Sequence, residues 1–471
     1  MSRVDNKGWF KKGWRFFLAA GLVLGLASVP TGAAAAAPAG GEVTLTVNTF
    51  GGFGYEELYQ EYMKTHPNVT IKEQIAKFQD HHDALQAHLL AGSGTADIEA
   101  VETGQIAQFM SQADKFVDFK PQGVNPKQWL DWKSAQVTTP DGKYIGLGTD
   151  IGGLAMAYRV DLFKAAGLPT DPNEVAKLWP TWEGYIEAGK RFQANAPAGS
   201  HWFDNGSTMM NAVMGQAGKA FYEKDGTLIV KTNPEVKNAW NLSIQAVQAN
   251  ESAKLPGWSP QWQAGFKQSA FATIPAPAWM LDTIGDPKAG FAPETTEAGL
   301  WNVTTVPGGV GNWGGSFLTI PKQGQHVKEA VELAKWLTDP VQQERVFTSH
   351  GHLPSTVAAL NSKAVLTKTD ARYNNAPVGQ IYAASALSLK PQYMGPKHSQ
   401  IANTLGEGIA RVEQGKEKKP DQAWAHSMKD IDKLTGTYKG DGLNPLWVVG
   451  GLVLVGGVVV FIVVRRRKNR S

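Results

Sequence analysis

Residues 43–74, VTLTVNTFGGFGYEELYQEYMKTHPNVTIKEQ, decide the fold. Val43, Leu45 and Val47 alternate with Thr44 and Thr46, the period of a half-buried strand. A glycine loop follows, Phe50-Gly51-Gly52-Phe53-Gly54. From Tyr55 to His66 the apolar residues Leu58, Tyr62 and Met63 fall at helical spacing. Pro67-Asn68 stops that helix, and Val69 to Gln74 reads as a second strand. Strand, helix, strand is a βαβ unit, which implies a parallel sheet covered by helices.

The pattern continues outward. Asp83 to Leu90 reads as a helix, Gly92-Ser93-Gly94 breaks it, Ala96 to Val101 reads as a strand and Gln105 to Met110 as a helix. Tyr144 to Leu147 and Leu154 to Tyr158 are apolar runs on either side of Asp150-Ile151-Gly152-Gly153. That glycine-containing join is where the chain is expected to cross first between two lobes. Thr181 to Phe192, with Thr181 as N-cap, and Val236 to Gln248 are amphipathic helices. Leu300 to Val306 and Ser316 to Ile320 read as strands around the loop Pro307 to Gly315, and His326 to Leu337 as a periodic helix. A segment of this length exceeds one ordinary core, so two lobes are expected.

The ends carry different signals. Lys7, Lys11, Lys12 and Arg15 precede a short apolar run from Phe16 to Ala27, and Ala33 to Ala37 offers A-x-A cleavage sites, so residues 1–37 read as a secretory signal. Leu446 to Val464 is an unbroken apolar run of about 28 Å as a helix, close to the roughly 30 Å hydrocarbon core. Trp447 flanks it on one side and Arg465, Arg466, Arg467, Lys468 and Arg470 on the other, which orients residues 465–471 to the cytoplasm. Residues 436–445 read as a linker, and the chain is expected to hold to the membrane through its own C-terminal helix. A sortase-type signal has a similar layout, but no LPxTG motif precedes the run.

The formal charge of +4 belongs to these ends. Without residues 1–41 and 465–471 the chain holds 36 basic and 41 acidic residues, so its main body has no general attraction for nucleic acid. Cysteine is absent, which excludes disulfides, thiolate metal sites, a cysteine nucleophile and a lipobox anchor.

The ordered segments Tyr55–Pro67, Asp83–Ile98, Tyr144–Leu168, Ala264–Met280, Gly314–Pro321 (GGSFLTIP) and Ala330–Pro340 resemble the extracellular solute-binding protein family 1, the maltose-binding-protein-like carbohydrate receptors. The resemblance implies a two-lobe α/β periplasmic-binding-protein-like fold of type II, with a hinge and an interlobe cleft. Lobe 1 would be 42–151 with 306–348, and lobe 2 would be 152–305 with 349–435. It also implies a carbohydrate ligand and ABC permease subunits as partners, with the chain itself a monomer. The missing lipidated cysteine and the C-terminal apolar run depart from the family's usual pattern.

A sugar presents hydroxyls around an apolar ring face, so its site needs aromatic platforms and planar polar groups. The chain has 16 tryptophans. Trp279 follows an expected strand, Trp313 sits among glycines, Trp258 lies in a Pro/Gly loop, and Trp202 stands near Asn205. Asp80, Glu102 and Asp150 follow expected strands, where open α/β sheets bind ligands. Phe50 and Gly52 close the first strand, and Arg372 lies in a late loop. These residues are the candidate ligand contacts. His81, His82 and His88 sit near Asp80 and Asp83, but as a local group they read better as a solvated helix start than as a metal site. No G-x-S-x-G, H-E-x-x-H, Walker A or G-x-G-x-x-G motif occurs, so neither catalysis nor a cofactor is expected. A membrane-anchored sensor, and a receptor for a metal, peptide or polyol, stay open as alternatives.

Overall fold

The structure is a computed structural model, and it describes residues 41–285, 299–389 and 392–437. In the first strand, β1 (Val43–Thr49), Leu45 and Val47 are buried while the intervening residues are partly or fully open, as the alternation requires. The next helix, Glu56–Thr65, buries Leu58, Tyr59 and Tyr62. Glu56 and Glu57 in its first turn and Lys64 in its last complement its dipole. β2 (Val69–Ile75) pairs parallel to β1 in the register Val43 with Val69 through Thr49 with Ile75. β3 (Ile98–Glu102) lies parallel to β1 on its other side.

Here the expectation of a parallel sheet needs correction. β4 (Leu147–Gly148) and β9 (Ser316–Thr319) complete this sheet in the order β2-β1-β3-β9-β4, and β9 runs antiparallel to both β3 and β4. β9 does not arrive through a βαβ crossover but returns from the second lobe, which frees its direction. The apolar run Tyr144 to Leu147 leads into the two-residue strand Leu147–Gly148, and the helix expected from Asp83 starts earlier, at Phe78. Thr181 caps its helix as expected, accepting from Gly184 N at 3.3 Å.

The second sheet holds β5 (Leu154–Arg159), β6 (His201–Phe203), β7 (Phe271–Pro277) and β8 (Trp301–Thr304) in the order β6-β7-β5-β8. All of β5 is buried. Its odd and even residues serve two cores: Leu154, Met156 and Tyr158 pack on one side of the sheet, Ala155 and Ala157 on the other. The first sheet has a separate core around Leu45, Val47 and Phe317. The molecule is a two-lobe α/β fold.

Crossings between the sheets lie side by side and are hydrogen-bonded. Thr149–Gly153 joins β4 to β5, and residues 305–315 join β8 to β9. Trp313 N donates to Gly152 O at 2.7 Å, and Ile151 N donates to Leu353 O at 2.9 Å. A Cβ on Gly152 would sit 1.8 Å from Trp313 O, so glycine is required where the two crossings touch. The join read from the sequence at Asp150–Gly153 is thus an interlobe crossing.

Among the described residues no helix is long and apolar enough to cross a membrane. The expected signal segment, the transmembrane run 446–464, the basic tail and nearly all of the linker lie outside the described residues.

Candidate ligand-binding site

The first wall is built at the carboxyl ends of β1, β2 and β3. Phe50, just past β1, packs edge-on against Phe53 at 5.4 Å and Phe78 at 5.3 Å between ring centroids. Ile75 and Phe78 remain exposed at 56% and 41%, which is unusual for large apolar side chains. His82 lies beneath them, 4.8 Å from the Phe50 ring. Its Nε2 accepts from Glu102 N at 3.1 Å, so the proton is on Nδ1, which donates to Phe78 O at 2.7 Å. Burial pushes its pKa down to about 3, so the ring stays neutral.

Glu102 ends β3, and its Oε2 accepts from Gly104 N at 2.6 Å. Its other oxygen faces Gly314. A Cβ on Gly314 would lie 3.7 Å from Glu102 Oε1 and 3.7 Å from Trp279 Nε1. A carboxylate from the first sheet's side and an indole from the second's thus meet at Gly314. Gly314 has φ +92°, and a side chain there would also fill this gap.

Trp279 sits in the first turn of the helix Ala278–Gly285, directly after β7. Trp258 stacks against it at 6.0 Å and is itself 51% exposed in a left-handed loop, φ 65°. Non-glycine residues are uncommon in that region and mark positions held by their surroundings. Behind Trp258 stands Trp262, at 5.0 Å, buried and donating from Nε1 to Asp204 Oδ2 at 2.7 Å. Asn205 Nδ2 donates to the same oxygen at 2.9 Å, and its Oδ1 caps the helix Gly206–Met214 by accepting from Thr208 N. Burial raises the Asp204 carboxyl to about 7. Trp313 is half-buried against both cores of the second sheet.

Behind Glu102 lies a charge cluster. Asp150 is buried, and its Oδ1 accepts from Ser316 N at 2.9 Å and Thr149 Oγ1 at 2.8 Å, which holds the crossing. Lys133, fully buried, donates from Nζ to Thr103 Oγ1 at 3.0 Å and sits 3.8 Å from the centre of the Phe317 ring. Burial lowers its pKa to about 8 against the pull of Asp150 and Glu102. Burial also raises Glu102 to about 7, with Gly104 N and Lys133 opposing and Asp150 reinforcing. Sequence reasoning missed Lys133, because a single lysine in an amphipathic stretch reads as a solvated face.

The expected contacts therefore divide. Glu102 and Trp279 flank Gly314 and Trp258 stacks on Trp279, while Phe50 stands with Phe53 and Phe78 on the first wall. Asp150 holds the crossing, Trp313 packs against both cores of the second sheet, and Asn205 caps the helix Gly206–Met214. Gly52 is exposed beside Phe50, and Asp80 is exposed in the first turn of the helix Phe78–Ala91. Trp202 is a correction: it lies in β6 rather than a loop, fully buried, with its ring against Phe163 and Tyr185. A ligand cannot reach it there. Arg372 is committed to Asp370 at 2.7 Å and to Asp282 at 2.6 Å, which ties its loop to the helix of Trp279.

The histidines are not exposed on a helix start as expected: His81 and His82 are buried, and His81 Nε2 is 2.6 Å from Ala100 O. Among the described residues no group of three or more His, Asp or Glu is placed to hold a metal ion. A surface groove of about 540 Å³ runs past Trp336 and Val341 on the first lobe and includes none of the cleft residues. At one end the lobes touch, and a Cβ on Gly104 would lie 2.8 Å from Ser399 Oγ of the helix His398–Glu413.

Comparison with known proteins agrees with the two-lobe fold. The sequence profile of the bacterial extracellular solute-binding proteins matches residues 57–372. A crystal structure of an extracellular solute-binding protein of family 1 is 44% identical, with a TM-score of 0.73 over 83% of this chain and 99% of its own. The arabinooligosaccharide-binding protein of Bacillus subtilis (strain 168) is 27% identical over 311 residues, 62% of this chain and 68% of its own length. An ABC transporter associated binding protein from B. animalis subsp. lactis Bl-04, solved with beta-1,6-galactobiose, shares the fold at 18% identity and a TM-score of 0.70, covering 83% of this chain and 98% of that one.

Proposed function

Because this chain belongs to the bacterial extracellular solute-binding protein family, we propose that it captures an oligosaccharide in the cleft between its lobes and delivers it to the permease of an ABC importer. The family consists of receptors rather than enzymes, and this chain is a binding protein. The observation that carries the sugar reading is Trp258 stacked on Trp279, whose indole meets the Glu102 carboxylate at Gly314. Stacked indoles offer a platform for sugar rings, and a carboxylate takes the planar hydrogen bonds of their hydroxyls. Phe50 and Phe78 at the ends of the first sheet's strands supply a second apolar surface. The names of the relatives, which bind arabino-oligosaccharide and galactobiose, favour a short oligosaccharide over a single sugar.

In this reading lobe 1 comprises 42–151 and 306–348, lobe 2 comprises 152–305 and 349–435, and ligand contacts to both walls shift the lobes toward closure. Residues 1–37 direct the chain out of the cell. Residues 446–464, which lie outside the described residues, are the segment proposed to hold it at the membrane. The test is calorimetric titration of the purified chain with arabinotriose, beta-1,6-galactobiose, maltotriose, glycerol, a tripeptide and zinc. Saturable binding of one or more of the oligosaccharides is expected. Binding of the peptide or the metal alone would replace the sugar reading.

A further inference from the structure

Asp204 and Glu413 are buried carboxyls that converge on one loop, Ser252 to Ser259, which carries Trp258. A buried carboxyl is costly unless donors satisfy it. Asp204 Oδ2 accepts from Trp262 Nε1 at 2.7 Å, Thr208 Oγ1 at 2.8 Å and Asn205 Nδ2 at 2.9 Å. Its main-chain oxygen accepts from Leu255 N at 3.1 Å, beside the bond from Ala253 N to Phe203 O at 2.8 Å, so the start of the loop runs along the end of β6. Glu413, the last residue of the helix His398–Glu413, accepts at Oε1 from Ser252 Oγ at 2.5 Å and from Gly206 N at 2.9 Å. Ser252 Oγ in turn accepts from Lys254 N at 2.9 Å. The far end of the loop is pinned as well: Ser259 N donates to Pro256 O at 3.1 Å, and Ser259 Oγ accepts from Trp262 N at 3.1 Å. Lys254 and Trp258 both hold a left-handed φ, 58° and 65°. Such a backbone persists in non-glycine residues only where the surroundings over-determine it.

We infer that Asp204 and Glu413 are positioning residues of the sugar platform: Asp204 aims the Trp262 ring, Glu413 fixes the start of the loop through Ser252, and together they set the Trp258 indole against Trp279. The inference rests on the sugar-binding reading, because it assigns Trp258 the platform role there. The line of contact is continuous. The Trp262 ring lies 5.0 Å from that of Trp258, which lies 6.0 Å from that of Trp279. Asn205 Nδ2, bonded to Asp204, comes within 3.8 Å of the point a Cβ would occupy on Gly257, the residue before Trp258. At 51% exposure Trp258 has little packing of its own to select one orientation. Its direction therefore comes from the ring beside it and from the backbone that carries it, and both are held by these two carboxyls.

The test follows the platform and the affinity separately. Indole N–H signals in nitrogen-15 NMR of the ligand-free full chain report the platform, with Trp258 assigned by loss in Trp258→Phe. Calorimetric titration with arabinotriose reads the affinity. Asp204→Leu and Glu413→Leu are each expected to move the Trp258 signal and to weaken binding about fivefold or more. Asp204→Asn should keep both near wild type, because Oδ1 has no hydrogen-bond partner among the described residues and an amide nitrogen can take its place. Glu413→Gln should keep them as well, since its amide oxygen can still accept from Ser252 and Gly206. Should a leucine variant fail to fold, Trp262→Phe decides for Asp204 and Ser252→Ala for Glu413. Each removes one donor to the carboxyl, and each should act in the same direction by less. An unmoved Trp258 signal or an unchanged affinity in either folded leucine variant, or in its substitute, overturns the inference, even where the melting temperature falls, because the carboxyl is then merely structural. A wild type that binds no oligosaccharide sinks the sugar reading and the platform role with it, whereas a wild type that binds beside an unmoved Trp258 signal sinks the inference alone.

Discussion

The rings of Trp258 and Trp279 stand 6.0 Å apart with planes 21° from parallel, one carried by a left-handed loop and the other by the first turn of a helix. Trp258 is 51% exposed and Trp279 partly so, which leaves ring surface open to solvent. Trp262 and Asp204 brace the pair from behind. Such an extended aromatic surface matches two neighbouring rings better than one.

Trp279→Ala is expected to weaken oligosaccharide binding by about 2 kcal/mol or more, roughly 30-fold, with the fold retained. Trp258→Ala should cost less, since its ring is half exposed. Because the rings touch, the double variant should lose less than the two single losses added together. Calorimetric titration of the three variants with arabinotriose reads this, and full additivity would argue against a shared platform.

Trp202→Ala should behave in the opposite way. Its ring fills the core beside Phe163, Phe192 and Tyr185. Removing it is expected to cost about 3–5 kcal/mol of stability, read by urea unfolding, while the folded fraction keeps wild-type affinity. A loss of affinity with unchanged stability would place Trp202 in the site after all.

Gly152→Ala tests the hinge. Its Cβ would meet Trp313 O at 1.8 Å, and that carbonyl cannot retreat without straining the bond from Trp313 N to Gly152 O. A loss of about 2 kcal/mol or more is expected, seen as a lower melting temperature. A neutral substitution would show that the crossings have more freedom than their hydrogen bonds suggest.

Much of this was legible in the sequence. Period-two alternation marks β1, and the buried run Leu154–Tyr158 marks β5, because burial leaves a direct imprint on residue type. Glu102 and Trp279 were singled out because both follow expected strands. Trp202 was misplaced because Asp204, Asn205 and Gly206 after it look like a turn, whereas they form the cap of a helix. The antiparallel return of β9 depends on a crossing from the other lobe, which no local pattern encodes. Lys133 was invisible for the same reason: its burial is produced by Phe317 and Gly315, nearly two hundred residues later in the chain.

Glu251 predicts a pH dependence of stability. It is fully buried, neither carboxyl oxygen has a hydrogen-bond partner among the described residues, and burial raises its pKa from 4.5 to about 8. The folded protein therefore holds a proton that the unfolded chain releases between these values. Stability from this group is present below about pH 4.5 and is lost as pH rises toward 8. Glu251→Gln should raise the melting temperature at pH 8 and change it little at pH 5. An equal effect at both values would show that the carboxyl is not held protonated.

The most direct test of the central claim is titration of arabinotriose into the wild-type chain beside Glu102→Gln and Trp279→Ala, all at pH 8. The account predicts saturable binding by the wild type and at least tenfold weaker binding (about 1.4 kcal/mol) by each variant, because one removes the charged acceptor of the first wall and the other the platform of the second. Binding that is unaffected by both substitutions would place the ligand elsewhere and contradict the cleft described.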